Sequence, residues 1–295
     1  MDIQFRKLHP LFAAEVTGID LRRADSPEML KRIQAGMDEY AVLVFPDQPL
    51  TDADQLGFAQ RFDGSLHTKT GISALQKNRF GNEALTDISN VTEGGDIMAQ
   101  QDRRRAYSLA NRLWHADATF QDPPGRYSML HARVIPPVGA DTEFADMRAA
   151  YDELSADIKT QIEGLQAHHS IAYSRQTLGF EFSDDERERL KGAIHPLVRT
   201  LPRSGRKTLY LASHAFRIIG WPVPDARLLL RDLMEHATQR KFVYRHAWRL
   251  GDLVLWDNRC TMHRATPFED GRYKRELRRV TTLDIEPATA TASAK

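Results

Sequence analysis

The chain has 295 residues, 41% of them hydrophobic and 27% charged, which fits one large or two small globular domains and excludes disordered and fibrous architectures. Lysine plus arginine number 41 against 40 aspartate plus glutamate, so a net charge of +1 gives no overall field to draw the protein onto nucleic acid or an anionic membrane. The one cysteine, Cys260, excludes an intramolecular disulfide and a four-cysteine zinc site and fits a reducing cytoplasm. No apolar core of signal-peptide or membrane-spanning length is present, so a soluble cytoplasmic protein is expected.

In chain order, Ser26-Pro27-Glu28 opens a helix over 27–39 whose apolar face repeats at Met29, Ile33 and Met37. Ala41–Phe45 is apolar throughout and reads as a buried strand ending at Pro46. Thr51 and Asp54 then form a capping box for a helix to about Phe62. From Gly64 to Asn111 periodicity is lost, which predicts an active-site lid, with one short strand inside 84–91 and a solvated face at Arg103-Arg104-Arg105.

Short strands follow at 127–135, 142–146, 208–212, 242–248, 252–256 and 277–285, interrupted by helices at 147–154, 155–166 and 225–238. Residues 287–295 read as a frayed tail. The pattern predicts a single domain over 1–295, mainly β with α, either a sandwich or a jelly roll decorated by outer helices.

His115 and Asp117 are two apart, so on extended backbone both side chains face the same way. Such a pair arises about once by chance in a chain of this composition and means little alone. A second histidine, His263, ends the strand–turn–strand pattern Trp256–Arg264 and can supply a third ligand. Two histidines and a carboxylate leave open positions on octahedral Fe(II), whereas structural zinc closes to four protein ligands. On the last strand Arg275, Leu277, Arg279 and Thr281 share a face. An inward arginine needs an anionic partner, and its guanidinium grips a carboxylate bidentately.

These residues and their spacing resemble the taurine/2,4-dichlorophenoxyacetate branch of the Fe(II)- and 2-oxoglutarate-dependent dioxygenases. The likeness includes the segments 8–14, 113–120, 126–130, 141–151, 204–207, 235–239 and 275–279. The resemblance implies a double-stranded β-helix, with Fe(II) held by His115, Asp117 and His263. It further implies 2-oxoglutarate as co-substrate, with Thr142 and Arg275 on its distal carboxylate, and dioxygen as oxidant. Arg279 and His214 are then expected at the substrate, a small anionic molecule of the aryloxyalkanoate class, with alkylsulfonates as the alternative. Asp257, Asn258 and Arg259 either stabilise the turn before His263 or orient it. A homo-oligomer is implied on the same ground. A jelly-roll metal hydrolase and a non-catalytic binding module stay open as readings of another class.

Overall fold

A computed structural model describes residues 3–68 and 79–285 of the chain. Strands β1 (Gln4–Lys7) and β2 (Ala14–Thr17) pair antiparallel. Helix α1 (Pro27–Tyr40) starts where Ser26 Oγ accepts from the Met29 amide, buries Ile33 and Met37, and ends at Ala41 in a left-handed turn. Strand β3 (Val42–Phe45) follows, and the Thr51–Asp54 capping box opens α2 (Asp52–Asp63).

Next come β4 (Thr86–Ser89), α3 (Arg103–Ser108), β5 (Gly125–Val134), β6 (Thr142–Asp146), α4 (Met147–Asp152) and α5 (Ala156–Ile162). They are followed by β7 (Gln166–His169), α6 (Ile171–Gln176), α7 (Asp184–Arg189), β8 (Ala193–Pro196), β9 (Val198–Thr200), β10 (Lys207–Leu209) and β11 (Ala215–Ile218). The chain closes with α8 (Val223–Ala237), β12 (Val243–His246), β13 (Leu253–Asp257), β14 (Thr261–Ala265) and β15 (Glu276–Leu283).

The main sheet has seven strands in the order β1-β2-β3-β13-β5-β15-β4, antiparallel except where β2 meets β3. Its two faces follow from the two-residue strand period. Leu43, Phe45, Met129, Leu253, Leu255 and Val280 pack outward with Ile33, Met37, Phe58 and Phe62 of α1 and α2. Val42, Val44, Leu130, Val254, Trp256 and Leu277 face inward and meet Phe144 of the smaller β12-β6-β14 sheet. Behind that smaller sheet, Ala145 and Met262 pack on Leu230 and Leu233 of α8. The architecture is a jelly roll, or double-stranded β-helix, with helices outside it. Among the described residues no helix is long and apolar enough to cross a membrane.

One expectation needs revision. The helix over 155–166 stops at Ile162, because the turn passes through Gly164 at φ 73° and residues 166–169 become β7, paired with β8 and β11. Of the stretch 64–111 expected as a lid, residues 69–78 lie outside the described residues, as does the tail 287–295. The remainder is largely built in: β4 extends the main sheet beside β15, and Arg103, Arg104 and Arg105 pair with Glu186, Asp102 and Asp270.

Candidate active site

Strand β14 pairs with β6 so that His263 and Phe144 lie opposite each other and face the space between the sheets. His115 precedes β5 on an extended segment, and its main chain pairs reciprocally with that of His263, at 3.0 and 2.7 Å. The two-residue spacing then carries Asp117 to the same place. Gly125, at the start of β5, lets this segment settle, since a Cβ there would lie 2.9 Å from the Asp117 carbonyl oxygen. One ligand atom from each of His115, Asp117 and His263 lies within 4.8 Å of the others, and all three residues are buried.

The donor set fits a divalent metal. His115 Nδ1 lies 2.7 Å from the Leu113 carbonyl, which can only accept, so the proton sits on Nδ1 and Nε2 is free to bind a metal. Burial lowers the His115 imidazole to about 4 and pushes His263 well below its ordinary value, keeping both neutral. Burial alone would raise the Asp117 carboxyl. Arg279, the two histidines and the Ser128 hydroxyl outweigh it and hold the group at about 2, hence ionised.

Asp117 is held from several sides. Its Oδ2 accepts from Ser128 Oγ at 2.7 Å, its Oδ1 accepts from Arg279, and its amide donates to Asn258 Oδ1 at 2.9 Å. Asn258 Nδ2 in turn donates to Ser128 Oγ. Of the three turn residues, Asn258 thus orients Asp117, while Arg259 folds onto Asp257 to fix the turn. Ser128 was missed in the sequence because nothing local distinguishes it; only the register of β5 brings it to Asp117.

Two cavities adjoin the centre and share His115, Asn111 and Arg279 in their walls. The larger, about 910 Å³, holds Thr142, Trp256, His263 and Arg275. Arg275 is buried with its Nε unpartnered, and its one side-chain hydrogen bond runs to the Ala140 carbonyl at 3.3 Å. Burial lowers its guanidinium to about 10, with Asp141 opposing. Thr142 Oγ1 accepts from Trp248 Nε1 at 3.0 Å, so its own hydrogen remains to be donated. An orphaned guanidinium beside a free hydroxyl is a cradle for a carboxylate.

The smaller cavity, about 490 Å³, is walled by Ile88, Tyr107, Phe120, Ile171, Arg175 and His214. The His214 ring centre is 6.0 Å from that of His115. The structure therefore brings His115, Asp117 and His263 to one point, with Thr142 and Arg275 in the wall of one adjoining cavity, His214 in the wall of the other, and Arg279 bordering both. Other buried histidines are taken up elsewhere, His131 on the Gln48 carbonyl and His169 on Thr119.

The fold and this centre are those of a jelly-roll metal dioxygenase. The family described as taurine catabolism dioxygenase TauD, TfdA family, matches residues 4–281, and the chain belongs to it. It is 48% identical to the alpha-ketoglutarate-dependent 2,4-dichlorophenoxyacetate dioxygenase of Cupriavidus pinatubonensis, over 96% of this chain and 99% of that one. The (S)-phenoxypropionate/alpha-ketoglutarate dioxygenase of Sphingobium herbicidovorans is 38% identical, over 89% of this chain and 88% of that protein. Among solved structures, that of AAD-2 in complex with Mn(II) and N-oxalylglycine superposes with a TM-score of 0.88 at 45% identity, covering 97% of this chain and 98% of that one.

Proposed function

We propose that the protein is an Fe(II)- and 2-oxoglutarate-dependent dioxygenase that hydroxylates the side-chain carbon of an aryloxyalkanoate such as 2,4-dichlorophenoxyacetate. The product falls apart to a phenol and glyoxylate, while 2-oxoglutarate becomes succinate and CO2. The observation that carries this reading is the His115–Asp117–His263 centre beside a buried arginine, Arg275, that among the described residues has no acid within ion-pair distance. The substrate class follows the relatives that act on 2,4-dichlorophenoxyacetate and (S)-phenoxypropionate.

Iron, when bound, supplies the reduction of dioxygen coupled to decarboxylation of the co-substrate. The chain's residues do the rest. His115, Asp117 and His263 hold the metal and leave positions for other ligands. Arg275 and Thr142 take the distal carboxylate of 2-oxoglutarate, which fixes the depth at which its other end reaches the metal. Arg279 keeps Asp117 ionised and in place, and with His214 borders the space where substrate sits. Apolar walls exclude water around the reacting carbon. A cytoplasmic setting goes with the free, buried Cys260, and self-association is part of the same proposal.

The test is phenol release from 2,4-dichlorophenoxyacetate by iron-loaded protein in air, with succinate read in the same tube. Phenol and succinate are expected together, and only with 2-oxoglutarate. Succinate without phenol redirects the substrate to alkylsulfonates or other acids, and neither product from iron-loaded protein rejects the reading. Arg275→Ala is expected to abolish 2-oxoglutarate binding with iron retained; unchanged turnover would reject the dioxygenase mechanism and favour a hydrolase.

A further inference from the structure

We propose that Trp248 is a positioning residue for the co-substrate: its indole donates to Thr142 from behind the cavity wall and so turns the threonine's hydroxyl hydrogen toward the distal carboxylate of 2-oxoglutarate. The proposal rests on the reading above and adds to it a residue that acts only through Thr142.

Thr142 lines the larger cavity together with Arg275, whereas Trp248 does not border it. The one hydrogen bond of the Thr142 side chain among the described residues is the bond it accepts from Trp248 Nε1, at 3.0 Å. A hydroxyl has one hydrogen and two lone pairs, and an indole N–H can only donate. Without the indole the hydroxyl is free to rotate between donating and accepting. With it, one lone pair is taken and the hydrogen is left for a second partner. Arg275, whose Nε has no partner, borders the same cavity, so both groups have hydrogens to give. A carboxylate only accepts, and it satisfies both.

The indole is held in place by its neighbours. Trp248 is 7% exposed and packs in the inward apolar cluster with Phe12, Leu130 and Phe144. His246 lies opposite Thr142 in the register of β12 and β6, and its ring meets the indole edge-on, with centroids 4.7 Å apart and planes at 85°. His246 Nε2 is 3.1 Å from Asp252 Oδ2, and its Nδ1 is 3.2 Å from the Tyr244 hydroxyl. Asp252 Oδ2 also accepts from the Arg249 amide at 3.0 Å. The fully buried Asp252 therefore grips the chain on both sides of Trp248. A donor fixed in this way needs no reordering when the co-substrate arrives, which favours binding.

Packing alone does not account for the residue. A phenylalanine ring would fill the apolar cluster, and an indole serving only to pack could give its hydrogen to any buried carbonyl. Here the acceptor is the one hydroxyl that faces the co-substrate cavity beside Arg275.

The experiment titrates N-oxalylglycine into Mn(II)-loaded wild type, Trp248→Phe, Thr142→Val and the double variant, and measures KM for 2-oxoglutarate and kcat of the iron-loaded proteins in parallel. Trp248→Phe is expected to weaken N-oxalylglycine binding about three- to tenfold and to raise KM by the same factor, with kcat close to that of wild type. Thr142→Val is expected to weaken binding at least as much, and the double variant no further than Thr142→Val. An unchanged Kd in Trp248→Phe overturns the proposal. A double variant whose loss is the product of the two single losses overturns it as well, because the indole then acts independently of the hydroxyl. If Trp248→Phe does not fold, a crystal structure of wild type with Mn(II) and N-oxalylglycine decides. A distal carboxylate oxygen on Thr142 Oγ1 with Trp248 Nε1 still bonded there supports the assignment, and a Thr142 hydroxyl turned away from either overturns it. No binding of N-oxalylglycine by Mn(II)-loaded wild type rejects the underlying reading and the assignment with it.

Discussion

Asn258 offers no ligand atom to the candidate metal centre, yet it holds a residue that does. Its side-chain oxygen accepts from the Asp117 amide and from Trp256 Nε1, and its amide nitrogen donates to Ser128 Oγ, which donates to the Asp117 carboxylate. Removing such an outer partner typically weakens a metal site about ten- to a hundredfold. Asn258→Ala is accordingly expected to weaken Fe(II) or Mn(II) binding by that factor in a metal titration, while circular dichroism stays that of the folded protein. Unchanged affinity would show that Arg279 and Ser128 hold Asp117 unaided. In the sequence this role was half visible: the residue stood out as part of the turn before His263, but its partner Ser128 lies 130 residues away and only strand pairing unites them.

At the scale of elements, one buried polar side chain ties helix α2 to the main sheet beside the apolar contacts of Phe58 and Phe62. Gln55 is fully buried and its Nε2 donates to the carbonyls of Met129 on β5 and Arg278 on β15, at 3.0 and 2.9 Å. Gln55→Leu keeps the volume but leaves two buried acceptors without this donor. The expected loss is about 2 kcal/mol, read as a lower urea midpoint at constant slope. A midpoint within error of wild type would mean that the sheet re-satisfies those oxygens itself.

Elements whose signals are local were legible from the sequence. Capped α1 and α2 and the alternation along β15 needed no partner to be recognised, and that alternation placed Arg275 and Arg279 toward the metal while Arg278 turns outward over the Phe80 ring. Strands β1, β7, β8 and β11 are four residues long and lack a sustained alternation, so only their pairing defines them.

Across the whole molecule, the metal centre joins the two sheets, since His263 comes from the smaller one and Asp117 is braced by Ser128 and Arg279 of the larger. A ligand that binds only the folded state adds stability in proportion to the logarithm of its concentration, about 2.7 kcal/mol at a hundredfold excess over Kd. Mn(II) with N-oxalylglycine is therefore expected to raise the melting temperature by several degrees, and a chelator to reverse it. N-oxalylglycine without metal should shift it far less, because Arg275 and Thr142 then hold only one end. An equal shift with and without metal would count against chelation at His115, Asp117 and His263.

The position of Arg279 carries a thermodynamic consequence. One guanidinium borders both cavities and is bonded to the carboxylate between them. A molecule that displaces it from either side changes the environment on the other, so the two cavities are linked. Linkage is reciprocal: whatever factor the acid in one cavity imposes on the affinity of the acid in the other is returned unchanged. The order in which the two acids arrive then leaves the stability of the loaded enzyme untouched, and a single measured factor describes the coupling in both directions.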